Sequence, residues 1–321
     1  MKKVVSIVLG IFIITVWGVS ISDAAKFDIA LGMGYHSGDT TYRIGGRVDS
    51  SSGSETVHFP ISELEFPLDV YMVSAKASME FAGKWKLSLG AKKNISSDAG
   101  KMKDSDWLIP NSLDIYSESD ADLDALILDV NLRYKFYESF HGDISVNERD
   151  TINRNIKWSF FSGLGYIHQN FDYEIKNLDQ WYPSSPETPH DYVSGLVLTY
   201  EVTYDIPYIE IGTQFKYKES FSIEISLGGS PFVHVEDEDH HILRSKVNKT
   251  NYKWNRQAIL FSLEGRYNFS NNWFMTLGFD YTKISAEGRS EAYFEGVYDH
   301  SIDDEIESEQ AFTSLMVGYS F

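Results

Sequence analysis

Thr313-Ser314-Leu315-Met316-Val317-Gly318-Tyr319-Ser320-Phe321 ends the chain in a two-residue rhythm. Successive side chains of an extended strand point to opposite faces. Thr313, Leu315, Val317, Tyr319 and Phe321 therefore share one side, with Ser314, Met316, Gly318 and Ser320 on the other. The rhythm recurs upstream. Phe221, Ile223, Ile225 and Leu227 interleave with Ser222, Glu224, Ser226 and Gly228. Trp273, Met275, Leu277, Phe279 and Tyr281 oppose Thr276, Gly278, Asp280 and Thr282, and Ile209, Ile211, Phe215 and Tyr217 share a face. A soluble sandwich also alternates. Aromatic content of 15% with slightly negative mean hydropathy suits a transmembrane β-barrel, apolar outside, polar inside and girdled by aromatic rings.

Both ends of the chain favour the barrel. Lys2 and Lys3 precede the apolar run from Val4 to Val19, and Ser22-Asp23-Ala24 supplies small residues for cleavage. This reads as a secretory signal peptide over 1–24, leaving 25–321 as one domain. No other stretch reaches about 18 uninterrupted apolar residues, as a membrane-spanning helix requires. A last strand ending in Phe321 resembles the signal that bacterial outer-membrane barrels present to their assembly machinery. The expected fold is all-β, a ten-stranded antiparallel transmembrane barrel rising above the bacterial outer membrane.

Cysteine is absent, which excludes thiol chemistry and disulfides. The formal charge of −19 becomes −20 once Lys2, Lys3 and Asp23 leave with the signal. Such a surface repels nucleic acid and attracts cationic ligands, although it also serves plain solubility.

The alternation predicts strands at roughly 27–46, 57–82, 84–94, 118–137, 155–177, 192–217, 219–235, 242–269, 273–288 and 306–321. Short turns such as Ala82-Gly83-Lys84 and Lys218-Glu219 alternate with longer connections, which outer-membrane barrels keep outside. The connection near 138–154 is long for the inner side. With both termini periplasmic, connections after odd-numbered strands face outward. Asp104-Ser105-Asp106 follows the third strand and Asp237-Glu238-Asp239-His240-His241 the seventh, so both fall on the extracellular rim. Asp299, Asp303, Asp304, Glu305, Glu307 and Glu309 follow the ninth.

Within these stretches Asp237, Asp239 and His241 share one face, as do Asp104 and Asp106. A carboxylate beside an imidazole orients it as a general base, and two adjacent carboxylates compete for a proton. The pattern points to water-handling chemistry if the two stretches meet in space.

Asp104-Ser105-Asp106-Trp107 and Asp239-His240-His241 resemble the Asp-x-Asp-Trp and Asp-x-His motifs of the omptin family of outer-membrane endopeptidases. Ser62-Glu63-Leu64-Glu65, Ile206-Pro207-Tyr208-Ile209, Arg244-Ser245-Lys246-Val247 and Asn251-Tyr252 are similar to further family segments, so the resemblance spans most of the mature chain. It implies that Asp239 and His241 activate water while Asp104 and Asp106 hold it, or the scissile carbonyl, from across a groove. No cofactor is implied. The family's acidic specificity pocket corresponds here to Asp237 and, in the first strand, to Tyr42, with Asp114 adding negative potential along the groove. Cationic peptides and proteins are the expected substrates. The family also grips lipopolysaccharide phosphates with outward basic residues. The matching positions are Tyr166, His168, Asn170, Thr203 and Asn248, so lipid contact is expected without most charge-assisted grips, or through Lys246.

Two other readings stay open on the residues alone. His240, His241 and their acidic neighbours suit a metal, though further ligands at convincing spacing are missing. A non-enzymatic barrel serving as adhesin, receptor or structural protein would carry the same strands.

Overall fold

A β-strand needs partners for its N–H and C=O groups, and a barrel supplies them by closing on itself. The computed structural model describes residues 25–141 and 156–321. The predicted signal peptide (1–24) and most of the 138–154 connection lie outside the described residues. The strands are β1 (Lys26–Ser50), β2 (Gly53–Thr56), β3 (Ser62–Pro67), β4 (Val70–Phe81), β5 (Trp85–Asn94), β6 (Asp98–Asp106) and β7 (Ile115–His141). They continue with β8 (Ile156–Trp181), β9 (Asp191–Tyr217), β10 (Phe221–Ser230), β11 (His234–His241), β12 (Lys246–Asn268), β13 (Trp273–Phe294) and β14 (Val297–Ser320). Antiparallel pairing closes them into one cylinder, with β14 returning to β1. β3 with β4, β5 with β6, and β10 with β11 are each one interrupted stave, so ten staves form the wall, and β2 folds back on β1 at the rim.

The predicted turn at Ala82-Gly83-Lys84 joins Phe81 to its partner Trp85, with Ala82 (φ 50°) and Gly83 (φ 69°) left-handed, and the predicted Lys218-Glu219 turn joins Tyr217 to Phe221. Glu295 (φ 49°) and Gly296 (φ 80°), not foreseen as a turn, are both left-handed as a two-residue hairpin requires. The strand limits need correction. β6 carries Asp104 and Asp106, β11 carries Asp239 and His241, and β14 carries the acidic run 299–309, so none of these residues lies in a loop. Charged runs read as loops in a hydropathy pattern, yet the backbone ladder continues through them.

The wall divides into two zones. Near the termini its outer face is apolar: Leu31, Leu164, Ile209, Leu277 and Val317 are exposed, among others. The interior there is polar, with a chamber of about 180 Å³ lined by Lys76, Lys92, Asp129, Arg133, Glu210, Glu264 and Asp280 among others. Toward the far rim the pattern inverts. Glu201, Glu236, Glu238 and Lys249 face out, while Tyr42, Phe66, Phe171, Tyr173, Tyr200, Tyr204 and Tyr252 fill the inside. Phe66 stacks on Tyr200 with ring centroids 4.2 Å apart, joining β3 to β9 across the lumen. This aromatic plug and the ion pairs below it block a continuous water path. Planar-bilayer recording of the reconstituted barrel should therefore show no sustained single-channel current; steady conductance would contradict the plug.

Candidate active site

Both acidic motifs stand at the rim opposite the termini, above the aromatic plug. On one wall, Tyr42 of β1 is in register with Leu64 of β3, and Leu64 with Asp104 of β6; Ile44, Ser62 and Asp106 form the next row. On the other wall, Asp239 of β11 lies between Tyr200 of β9 and Asn248 of β12. Alternation sends Asp237, Asp239 and His241 inward and leaves Glu236 and Glu238 exposed.

Asp239 is the most closely held of these groups, with 2% of its surface exposed. Its Oδ2 accepts from His241 Nε2 at 2.9 Å, Tyr42 Oη at 2.5 Å and Asn248 Nδ2 at 3.3 Å. Burial pushes the Asp239 carboxyl up, but His241 and these hydrogen bonds outweigh it and hold the group below the ordinary carboxylate range. An ionised carboxylate bound to one ring nitrogen fixes the imidazole and leaves its other nitrogen, Nδ1, to take a proton.

Asp104 and Asp106 behave as one unit. Burial, then Asp106 and Asp239, push the Asp104 carboxyl well above its usual range, against the charge of Arg244 and a hydrogen bond from Ser62. Burial raises Asp106 as well, checked by Ser62, Arg244, His241 and Lys246. The fields of Asp239 on Asp104 and of His241 on Asp106 bring the two motifs into one electrostatic neighbourhood. Asp104 Oδ1 is buried without a hydrogen-bond partner among the described residues.

The remaining predicted residues take different positions. Asp237 Oδ2 accepts from Tyr252 Oη at 2.8 Å and Tyr200 Oη at 3.1 Å. Tyr252 Oη also reaches Asp304 Oδ1 at 3.1 Å, and Thr250 Oγ1 donates to Asp304 Oδ2 at 3.0 Å. Burial, opposed by those hydroxyls, raises Asp237 to about 7, and burial with the nearby Asp237 pushes Asp304 well above the ordinary carboxylate range. Asp114 organises the rim loop: its Oδ2 accepts from the backbone N–H groups of Leu108 (2.9 Å) and Ile109 (3.1 Å), and its Oδ1 from Ser112 Oγ (3.1 Å). On the outer wall Tyr166 Oη (2.6 Å) and His168 Nδ1 (2.8 Å) both bind Asp205, while Asn170 binds Glu201 and Thr203. Among the described residues no group of three or more His, Asp or Glu side chains is placed to hold a metal.

Ser62, Tyr200, Tyr252 and Asp304 have no role in the sequence reading, and Asn248, matched there to an outward lipid-binding position, instead donates to Asp239 within the mouth. Asp304 had a signal, since it was one of a run of acids near the chain end. The tyrosines had none, because a strand tyrosine reads as membrane girdle or core until its hydroxyl finds an acid.

The family model described as Omptin family matches residues 24–311. Among solved structures, the outer membrane protease OmpT from Escherichia coli aligns with a TM-score of 0.74 at 17% identity, covering 95% of this chain and 99% of that one. The outer membrane protein OprG from Pseudomonas aeruginosa aligns over 93% of this chain and 96% of its own, at 11% identity and a TM-score of only 0.40. No curated protein matches in sequence. With a family model covering nearly all of a closed ten-stave barrel, this chain belongs to the omptin family and is a bacterial outer-membrane protein.

Proposed function

We propose that this protein is an outer-membrane endopeptidase that hydrolyses peptide bonds at the extracellular mouth of its barrel. The observation that carries the reading is the Asp239–His241 pair, 2.9 Å apart, within the electrostatic reach of Asp104 and Asp106 across the mouth. In the proposed mechanism a peptide lies in the groove between the walls. His241 Nδ1 takes a proton from water as that water attacks the scissile carbonyl, and Asp239 stabilises the imidazolium. The carboxyl proton of Asp104 is offered to the developing oxyanion, where a preplaced donor is worth most. His241 then gives its proton to the leaving amine. Water is the nucleophile, so no acyl-enzyme forms.

The test is refolded protein against a peptide library in water enriched in heavy oxygen. Cleavage with label in the new carboxyl group, and no covalent adduct trapped during turnover, is the expected result. Absence of cleavage across basic, neutral and acidic peptides would sink the reading in favour of a non-enzymatic barrel.

Cationic peptides are the proposed substrates, supported by Asp237 and the overall charge. Because the Asp237 carboxyl is raised to about 7, it is neutral in mild acid and charged above that. Preference for a lysine or arginine peptide over a neutral one, measured as the ratio of kcat/KM values, should rise as pH increases through about 7. Asp237→Asn should flatten that rise, and a ratio independent of pH in the parent would contradict the assignment.

A further inference from the structure

The acid-base chemistry proposed above does not require a tyrosine, yet Tyr42 donates a hydrogen bond to Asp239. Tyr42 sits on β1 and Asp239 on β11, so the bond runs between separate walls of the mouth. Both residues are buried, at 5% and 2% exposure. The Tyr42 ring packs against Phe66 and Tyr200, with centroids 6.0 and 5.6 Å away, which directs its hydroxyl. At 2.5 Å it is the shortest of the three contacts that converge on Asp239 Oδ2, while Oδ1 is buried without a partner among the described residues.

We infer that Tyr42 is a positioning residue of the dyad: it fixes the Asp239 carboxylate in the plane and at the distance that His241 requires, and is not a member of the substrate pocket. The inference rests on the endopeptidase reading. Three features support it. First, Oδ2 takes every donor, so the rotation of the carboxylate about its own axis is set by what binds that one oxygen. Asn248, on the neighbouring strand, is a long partner at 3.3 Å, leaving the tyrosine as the strong second restraint. Second, the hydroxyl remains a donor: burial, then Asp239, Asp237 and Asp304, push the Tyr42 phenol well above its usual range. The other charges around the pair are His241 on Asp239, Lys246 opposite it, Asp104 across the groove, and Arg244 beside Asp104 and Asp106. Third, Tyr42 is 5% exposed, with its hydrogen donated to Asp239 and its ring packed on Phe66 and Tyr200, so it offers a cationic side chain neither a charge nor an open surface. The acidic pair beside Tyr252, Asp237 and Asp304, is a separate cluster on β11 and β14.

The variant Tyr42→Phe removes the hydroxyl and keeps the ring, so the contacts with Phe66 and Tyr200 persist and the barrel should still fold. Two measurements are made on the full refolded barrel. The first needs no activity: with histidine rings isotopically labelled, the NMR signal of His241, identified by its loss in His241→Ala, is compared at fixed pH. It should move in Tyr42→Phe, as the carboxylate facing it loses a donor; an unmoved signal overturns the inference. The second is kinetic. Loss of one hydrogen bond to a charged group should lower kcat about tenfold or more, with KM changed less than about twofold. A raised KM at unchanged kcat would instead make Tyr42 a pocket residue and overturn the inference. A parent that cleaves nothing defeats the endopeptidase reading, while the NMR comparison still decides whether Tyr42 sets the dyad.

Discussion

His241→Ala and Asp239→Ala should each reduce kcat by about 10²–10⁴-fold, the range a positioned general base supplies, with the barrel intact. The two losses should not add. Asp239 acts through His241, so once the ring is gone the carboxylate has nothing left to orient, and the double variant should resemble the worse single one. Asp239→Asn should be nearly as damaging, because an amide cannot stabilise the imidazolium. Across the groove, Asp104→Ala should cost more than Asp104→Asn. Burial and the neighbouring Asp106 and Asp239 push Asp104 well above the ordinary carboxylate range, so it is the member of the pair that holds its proton longer as pH rises, and an amide still donates where a methyl group cannot. The sign follows directly. As pH rises through that elevated pKa the proton is lost, so the parent should show an alkaline limb in its pH–kcat profile, and Asp104→Asn should remove it. Equal activity of parent and His241→Ala would end the mechanism. An alkaline limb unchanged in Asp104→Asn would end the proton assignment alone.

Arg133→Ala is expected to be among the most destabilising single substitutions in the barrel. Arg133 lies inside the membrane-level lumen, where its Nε donates to Glu210 Oε1 at 2.5 Å, its Nη2 to Glu210 Oε2 at 3.1 Å, and its Nη1 to Glu224. The side chains of Arg133, Glu210 and Glu224 are only 15%, 4% and 13% exposed. Gly163 leaves the space for the fork: a Cβ there would sit 2.7 Å from Glu210 Oε1 and 3.0 Å from Arg133 Cγ. Removing the guanidinium leaves two carboxylates to Lys86, 3.7 Å from Glu224, to the nearby Lys76, and to the amides of Gln214 and Asn131. Breaking a buried pair in this way costs about 3–5 kcal/mol. The loss is read as a lower temperature at which the folded barrel converts to its slow-migrating unfolded form on gels. Arg133→Lys keeps the charge without the fork and should fall between parent and alanine. Conversion of Arg133→Ala at the parent's temperature would show that these ions contribute no net stability.

Much of the cylinder was legible in the chain. A strand at the membrane must be apolar outside and can be polar inside, so residues such as Leu227, Leu277 and Leu315 announce themselves against Ser226, Gly278 and Ser314. Above the membrane that constraint lapses. β11 begins at His234, and its exposed Glu236 and Glu238 flank inward Asp237 and Asp239, so neither face is apolar and the strand looks like a loop. The same holds for Asp104 and Asp106 on β6 and for Asp304 on β14. Pairing to neighbouring strands keeps these stretches extended, and a pattern confined to one strand does not contain its neighbours.

Alternation, aromatic content and the two chain ends pointed by themselves to a β-barrel, and strand parity to which end carries the two acidic motifs. The period of two fixes which way each side chain points, and strand parity fixes the rim. Only the tertiary structure decided who meets whom across the mouth: Tyr42 with Asp239, 197 positions apart, and Asp237 with Asp304 through Tyr252. Those meetings depend on the closure of ten staves and on an aromatic plug, with Phe66 against Tyr200, that draws the walls within reach of one hydroxyl. Closure couples residues by their place around a ring, and distance along the chain carries no record of it.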